Sequence, residues 1–263
     1  MRKSILKSIA MLALMFVSIG AWAQPTNGDG EKPFVNSTHT YSVTAEDATN
    51  NGLAWTVTGG TVGTDYSFTT ATDGQSVEIK WLTAGSYTVE FRETSAATGS
   101  CVALRSLPIS VITNDFVVST SDPSGECHDA TAANVTGDQA TQITFTVSMN
   151  TNVTTWNPDW NFKFTLTPSA GISSISDVSI NSTSLAPAAG EYTSPTITGT
   201  TNGASTVNIV VTVVGDVNTE NTVALSITQG EELDYHTPDS TPSDNDATQT
   251  IYELPATSTI TAN

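Results

Sequence analysis

Three groupings in this 263-residue chain could do chemistry. In TTWNPDWNFKF, residues 154 to 164, Trp156 and Trp160 flank an Asn-Pro-Asp turn. An exposed indole offers a flat apolar face to the C–H side of a sugar ring, while neighbouring Asn157 and Asp159 could bind its hydroxyls. Trp160 is in phase with Phe162, Phe164 and Leu166 and belongs in a core. That leaves Trp156, Asn157 and Asp159 as the candidate ligand surface.

The second grouping is GEELDYHTPDSTPSDNDAT, residues 230 to 248, which holds Glu231, Glu232, Asp234, Asp239, Asp244 and Asp246. Hard oxygen donors of this kind could gather Ca²⁺, but their spacing departs from the D-x-[DN]-x-[DN]-G loop, and a solvated acidic loop is the better reading. The third is the pair of cysteines, Cys101 in TGSCVAL and Cys127 in SGECHDA. His128, beside Cys127 and Asp129, has too few ligands around it for zinc. His39 shares parity with Tyr41 and Val43 and reads as a satisfied core or rim histidine.

No G-x-S-x-G, H-E-x-x-H, C-x-x-C or P-loop occurs. A pair of carboxylates for glycoside hydrolysis can always be chosen from 26 acids, so their presence decides nothing. The expectation is a non-catalytic protein without a cofactor.

The elements that must position these residues are strands. From residue 35 to 113 the chain is short alternating runs cut by turn signals: His39/Tyr41/Val43, LAWTV, YSFTT, SVEIKW, SYTVEF and VALRSLPISVIT. Period-two alternation at this spacing predicts an antiparallel sandwich of about seven strands. In WLTAGSYTVEF, Trp81, Tyr87, Val89 and Phe91 point inward around a Gly-containing turn. Residues 114 to 263 repeat the alternation in longer runs, among them Ile143/Phe145/Val147/Met149 and Val207/Ile209/Val211/Val213. The fold class is therefore all-β, two tandem antiparallel sandwiches.

MRKSILKSIAMLALMFVSIGAWAQ opens with Arg2, Lys3 and Lys7, continues through an apolar run and reaches Ala21-Trp22-Ala23 before Gln24. That order predicts a signal peptide over residues 1–23 and export of a chain starting at Gln24. No cysteine follows the cleavage point to carry a lipid anchor. Residues 24–34, rich in turn formers, read as a flexible lead-in.

With the leader removed, 26 acids face five basic residues (Lys32, Lys80, Arg92, Arg105 and Lys163), a formal charge of −21. Such a chain lacks the basic footprint that phosphates require, which excludes nucleic acid and anionic membrane and leaves protein or glycan partners. Charged residues are 13% of the chain, against ~25% in an ordinary soluble domain, and Thr, Ser and Asn take their place, as on the wet faces of exported β-proteins.

Trp55 in an early strand, then an apolar strand, then Gly85-x-Tyr87-x-Val89-x-Phe91 resembles an immunoglobulin-like domain. More narrowly, residues 35–113 resemble the polycystic-kidney-disease (PKD) type repeat of exported Bacteroidota surface proteins. The resemblance implies a tyrosine-corner role for Tyr87 and a buried core role for Trp55 and, with Trp81 and Gly85, marks the fold. It implies location and fold and hardly any chemistry.

Val89 stands where an antibody domain has its second cysteine, and WTVTGG replaces the family's WDFGDG-like run. By the same resemblance Cys101 and Cys127 each match one half of a within-domain pair whose other half is missing. An export compartment favours joining them to each other, and the strand after Cys101, which carries the chain ~30–40 Å away, opposes it. Asp239-Ser240-Thr241 resembles the short O-glycosylation motif of the same bacteria. Together these features predict an exported, adhesin-like interaction module, with a carbohydrate-binding module as the alternative and a secreted hydrolase as the less favoured third.

Overall fold

The structure, a computed structural model, describes residues 28–97, 101–128, 137–152, 156–199 and 203–255. The leader reading for residues 1–23 lies outside them, as does Asp129. The regular elements among the described residues are sixteen strands and one 3-10 turn at Pro242–Asp244. No helix among them is long and apolar enough to cross a membrane.

Six strands build the first sandwich: β1 (Thr38–Ser42), β2 (Gly52–Thr58), β3 (Tyr66–Phe68), β4 (Ser76–Trp81), β5 (Gly85–Thr94) and β6 (Val102–Val111). They form two antiparallel sheets in the orders β1-β4-β3 and β2-β5-β6. The SVEIKW and SYTVEF runs thus lie in opposite sheets and face each other across one core. Tyr41, Trp55, Tyr66, Val77, Ile79, Trp81, Tyr87, Val89 and Phe91 are all buried there. Six strands appear where about seven are expected, because residues 31–35 do not form a full strand. They run beside only the end of β6, where Ser110 and Ile112 donate to the Glu31 and Pro33 carbonyls at 2.9 Å each.

The Gly-containing break after Trp81 is a corner. The Tyr87 hydroxyl donates to the Thr83 carbonyl at 2.9 Å. Its ring folds back over Gly85, where an added Cβ would come within 3.0 Å of the phenol oxygen. The bond replaces one that the turn backbone would otherwise make with water, so Tyr87→Phe should cost about 0.5–1.5 kcal/mol in urea unfolding. A loss below a few tenths would mean that the bond contributes nothing net.

Ten further strands follow: β7 (Val117–Thr120), β8 (Glu126–Cys127), β9 (Asp138–Asn150), β10 (Trp160–Pro168), β11 (Ile172–Ile180), β12 (Thr183–Ser184), β13 (Tyr192–Thr193), β14 (Ala204–Asp216), β15 (Asn221–Glu232) and β16 (Asp246–Tyr252). Their sheets run β13-β10-β15-β16-β8 and β12-β11-β14-β9-β7. The pairs are antiparallel except β16 with β8. Along β9 and β14 the register sets Ile143, Phe145 and Val147 opposite Val211, Ile209 and Val207, all inside. Trp160, Phe162 and Phe164 of β10 close the core from the other sheet by unbroken alternation, and a bulge at Thr228 of the facing β15 shifts that strand's parity so that Ile227 and Gly230 both turn inward.

Strand direction decides where the ends lie. β6 arrives at the second sandwich with Val111, and β7 leaves from the same place, pairing with the Asn150 end of β9. The Glu232 end of β15 is at this joint too, through Leu233, whose N–H donates to Asp159 at 2.9 Å. The start of β6 and the β8/β16 pair are therefore at opposite ends of the molecule.

Candidate functional site

The residues singled out in the Trp156 turn and in the acidic loop meet at the joint between the sandwiches. Trp156 is half-buried, with its ring 5.0 Å from Phe34 and 6.4 Å from Phe116 by centroid. Part of the indole surface is thus taken up by the joint. The lead-in is the reason. Gly28–Lys32 folds into a turn in which the Asp29 carboxylate accepts the N–H groups of Glu31 and Lys32 at 3.0 and 2.9 Å. That turn seats Phe34, 1% exposed, against the tryptophan.

Gly28 lies at φ +90°, and a Cβ there would stand 2.9 Å from the Phe34 ring and 3.5 Å from Trp156. The described part of the lead-in is therefore packed where turn composition suggested a flexible tether. Neighbouring Asn157 accepts the Gly203 N–H at 3.0 Å through Oδ1. Asp159 contributes its backbone carbonyl to Leu233.

The second half of the joint comes from the acidic loop. Tyr235 stacks on His39 with ring centroids 4.3 Å apart and planes at 21°, and its carbonyl accepts the Thr38 N–H at 2.7 Å. His39 is 2% exposed. Ser37 spends its proton on the Phe34 carbonyl at 2.7 Å, so the His39 Nε2, 2.9 Å from the Ser37 oxygen, carries the ring hydrogen. Burial disfavours the imidazolium and pushes the pKa down to about 4, with the Asp29 carboxylate pulling weakly the other way.

Tyr235 is held in turn by Glu232, whose carboxylate is fully buried and accepts N–H bonds from Asp234, from Tyr235 at 3.1 Å and from Thr237 at 3.4 Å. Its pKa lies above the ordinary carboxylate value because burial outweighs those bonds. A second acid, Asp239, accepts the Val118 and Thr241 N–H groups at 3.2 and 3.1 Å and the Asn245 amide at 2.9 Å. Asn114 ties the linker to the loop through the Pro238 carbonyl at 2.7 Å.

These contacts engage three of the six acids in the loop. Glu232 and Asp239 organise backbone, and Glu231 pairs with His236 at 2.8 Å. Among the described residues no three His, Cys, Asp or Glu side chains gather as a metal would need.

Cys101 and Cys127 are free and exposed. Cys101 precedes the distal start of β6, and Cys127 pairs with Tyr252 at the distal end of the second sandwich. Ten residues of β6 lie between Cys101 and the joint and twelve of β15 between Cys127 and the joint, at ~3.3 Å each, and the two form no disulfide in the structure. His128, 4% exposed, has its Nδ1 3.1 Å from the Thr141 hydroxyl and accepts from the Asn221 amide at 3.3 Å.

Trp55 and Trp81 are core residues whose indole N–H groups reach the Gly74 carbonyl at 2.8 Å and the Tyr41 hydroxyl at 3.0 Å. Phe34, Tyr235 and the burial of Glu232 are the features that sequence reasoning missed. The available signals were an apolar Phe34-Val35 pair directly after the turn-forming lead-in and a lone Tyr235 among acids.

No protein-family model matches the chain, and no curated protein matches it in sequence. Among solved structures, domains 4 and 5 of the S-layer protein SbsC are similar at 11% identity over 79% of this chain and 72% of that one, with a TM-score of 0.29. The D00-D0 domain of intimin is similar at 13% identity over 86% and 96%, with a TM-score of 0.23. SGBP-B of a mixed-linkage glucan utilisation locus in Bacteroides ovatus, solved in complex with a mixed-linkage heptasaccharide, is similar at 12% identity over 90% of this chain and 47% of that one, with a TM-score of 0.25.

Proposed function

We propose that the chain is an exported, non-catalytic interaction module, adhesin-like in character, in which residues 35–113 form a PKD-like sandwich and residues 114–263 a second one. The joint carries this reading. Two sandwiches on a loose tether need no buried contacts between them, whereas here Phe34, Trp156, His39 and Tyr235 pack across the boundary and a main-chain bond crosses it. A stiff pair of sandwiches sets the spacing at which edges and loops meet a protein or glycan partner outside the cell.

Trp156 serves that joint in this reading, so the glycan alternative loses the residue it rests on. Nitroxide labels on the two native cysteines, which stand at opposite ends, report the joint directly. Wild type should give one narrow distance of roughly 60–70 Å, and Trp156→Ala should broaden it while lowering stability by about 2 kcal/mol. Equal widths for both proteins would remove the rigid joint. Fractionation of the native host with a membrane-impermeant cross-linker tests the rest. Capture with a partner outside the inner membrane is expected, and a cytosolic chain that keeps its leader would overturn the proposal.

A further inference from the structure

The sheet β2-β5-β6 ends at β6, and half of that edge has no neighbour among the described residues. Ser110 and Ile112 direct their N–H groups outward to the lead-in, so by strand alternation Val102, Leu104 and Ser106 point theirs outward as well. Pro108 has no N–H and closes the open stretch on one side. Val102–Ser106 is exposed on both faces, with Val102 48% and Leu104 55% exposed.

Behind this edge, between β1 and β6, a cleft of about 150 Å³ reaches past Leu107 to Tyr41, Trp55 and Phe91 of the core. At its mouth stands Arg105, opposite Phe91. Its guanidinium donates to the outward carbonyl of Leu104 at 2.9 Å.

We infer that Val102–Ser106 is a strand-addition site for an extended acidic partner segment, with Arg105 as its selector. A bare edge pairs with any strand, and proteins guard such edges with charge and proline. Arg105 guards this one by covering the Leu104 carbonyl. A segment with a carboxylate opposite Arg105 offers the guanidinium a charge-assisted bond, draws it off and frees the carbonyl for the ladder. An apolar side chain two residues along the same face then enters the cleft over Trp55 and Phe91.

Local charge favours this occupant. Arg105 takes part in no ion pair among the described residues, which leaves one unpaired cation at this edge although the chain as a whole carries −18 and repels acidic segments elsewhere. Glu93, opposite Ala103, is already engaged by the Glu46 and Asp47 N–H groups and the Asn51 amide. Glu90 faces the other side of the sheet with Arg92. A second copy docked through its own β6 would bring two Arg105 side chains to diagonal positions and repel.

The inference rests on the interaction-module reading for its purpose and is tested apart from it. The chain from Gln24, isotope-labelled, is titrated with two capped heptapeptides, one alternating valine with aspartate and the other valine with lysine. The acidic peptide should shift and protect the amides of Val102, Leu104 and Ser106 and shift the Trp55 indole, binding at least about tenfold tighter than the lysine peptide. Arg105→Glu should reverse that preference. Leu104→Pro, which removes one outward N–H at a position like that of Pro108, should abolish binding without moving the melting temperature of the free protein. Absence of binding, equal binding of both peptides, shifts elsewhere, or concentration-dependent self-pairing of β6 without peptide would each overturn the inference. None of these would touch a partner captured at the cell surface through other residues.

Discussion

Replacing Trp81 by alanine should destabilise the first sandwich by about 3–5 kcal/mol, the range for deleting a fully buried large side chain. Its indole is wholly inaccessible and packs against Tyr87 and Tyr66 at centroid distances of 5.1 and 6.1 Å. The indole N–H donates to the Tyr41 hydroxyl, which itself donates to the Gly30 carbonyl at 2.7 Å. The substitution therefore opens a cavity between the sheets and removes a hydrogen-bond partner of Tyr41 at once. Against a typical domain stability of about 5–15 kcal/mol, that is a large fraction. Calorimetry should show the transition of the first sandwich move sharply downward while that of the second, whose core shares no residue with it, changes little. A loss under about 1 kcal/mol would show that the site collapses around the gap.

Acidification should weaken the protein between pH 6.5 and about 4 through His39. The sign follows from its lowered folded value. Above pH 6.5 the ring is neutral in both states and contributes no pH dependence. As the pH falls, the unfolded chain takes up a proton that the folded joint refuses, so stability declines until about pH 4, where the folded ring is protonated too. Two and a half units correspond to about 3 kcal/mol.

Glu232 acts in the opposite direction. Its raised value means that the folded state holds a proton more readily, so its cost is present at neutral pH and is relieved as the pH drops. The two are separated by comparing wild type with His39→Gln, which keeps an N–H for Ser37 but cannot titrate. The difference in unfolding free energy between the two proteins should change by about 3 kcal/mol across that window. A difference that stays flat would mean that solvent reaches the imidazole.

Alternation made the strands legible, because a residue on a half-buried strand must repeat its environment every second position. Val77, Ile79 and Trp81, or Phe145 and Val147, show this directly. The corner was equally local, since Tyr87 finds its partner four residues back and needs only Gly85 beneath its ring. The strands that escaped are too short to show a period. β8, β12 and β13 have two residues each and exist because a neighbouring edge offers hydrogen bonds. Ca²⁺ was suggested by counting carboxylates, but counting cannot say which of them turn inward to hold backbone, as Glu232 and Asp239 do.

What the sequence by itself determined is the class of the fold, the inward residues of its long strands and the net charge of −18. All of these depend on neighbours a few positions apart or on sums over the chain. The joint was decided only by tertiary structure. Phe34 meets Trp156, and His39 meets Tyr235, across more than a hundred residues of chain, so no spacing connects them. The placing of Cys101 and Cys127 belongs to tertiary structure in the same way, since each lies at the end of long strands that lead away from the joint. The open edge at Val102–Ser106 also depends on topology, since a strand's text does not say whether another strand lies beside it.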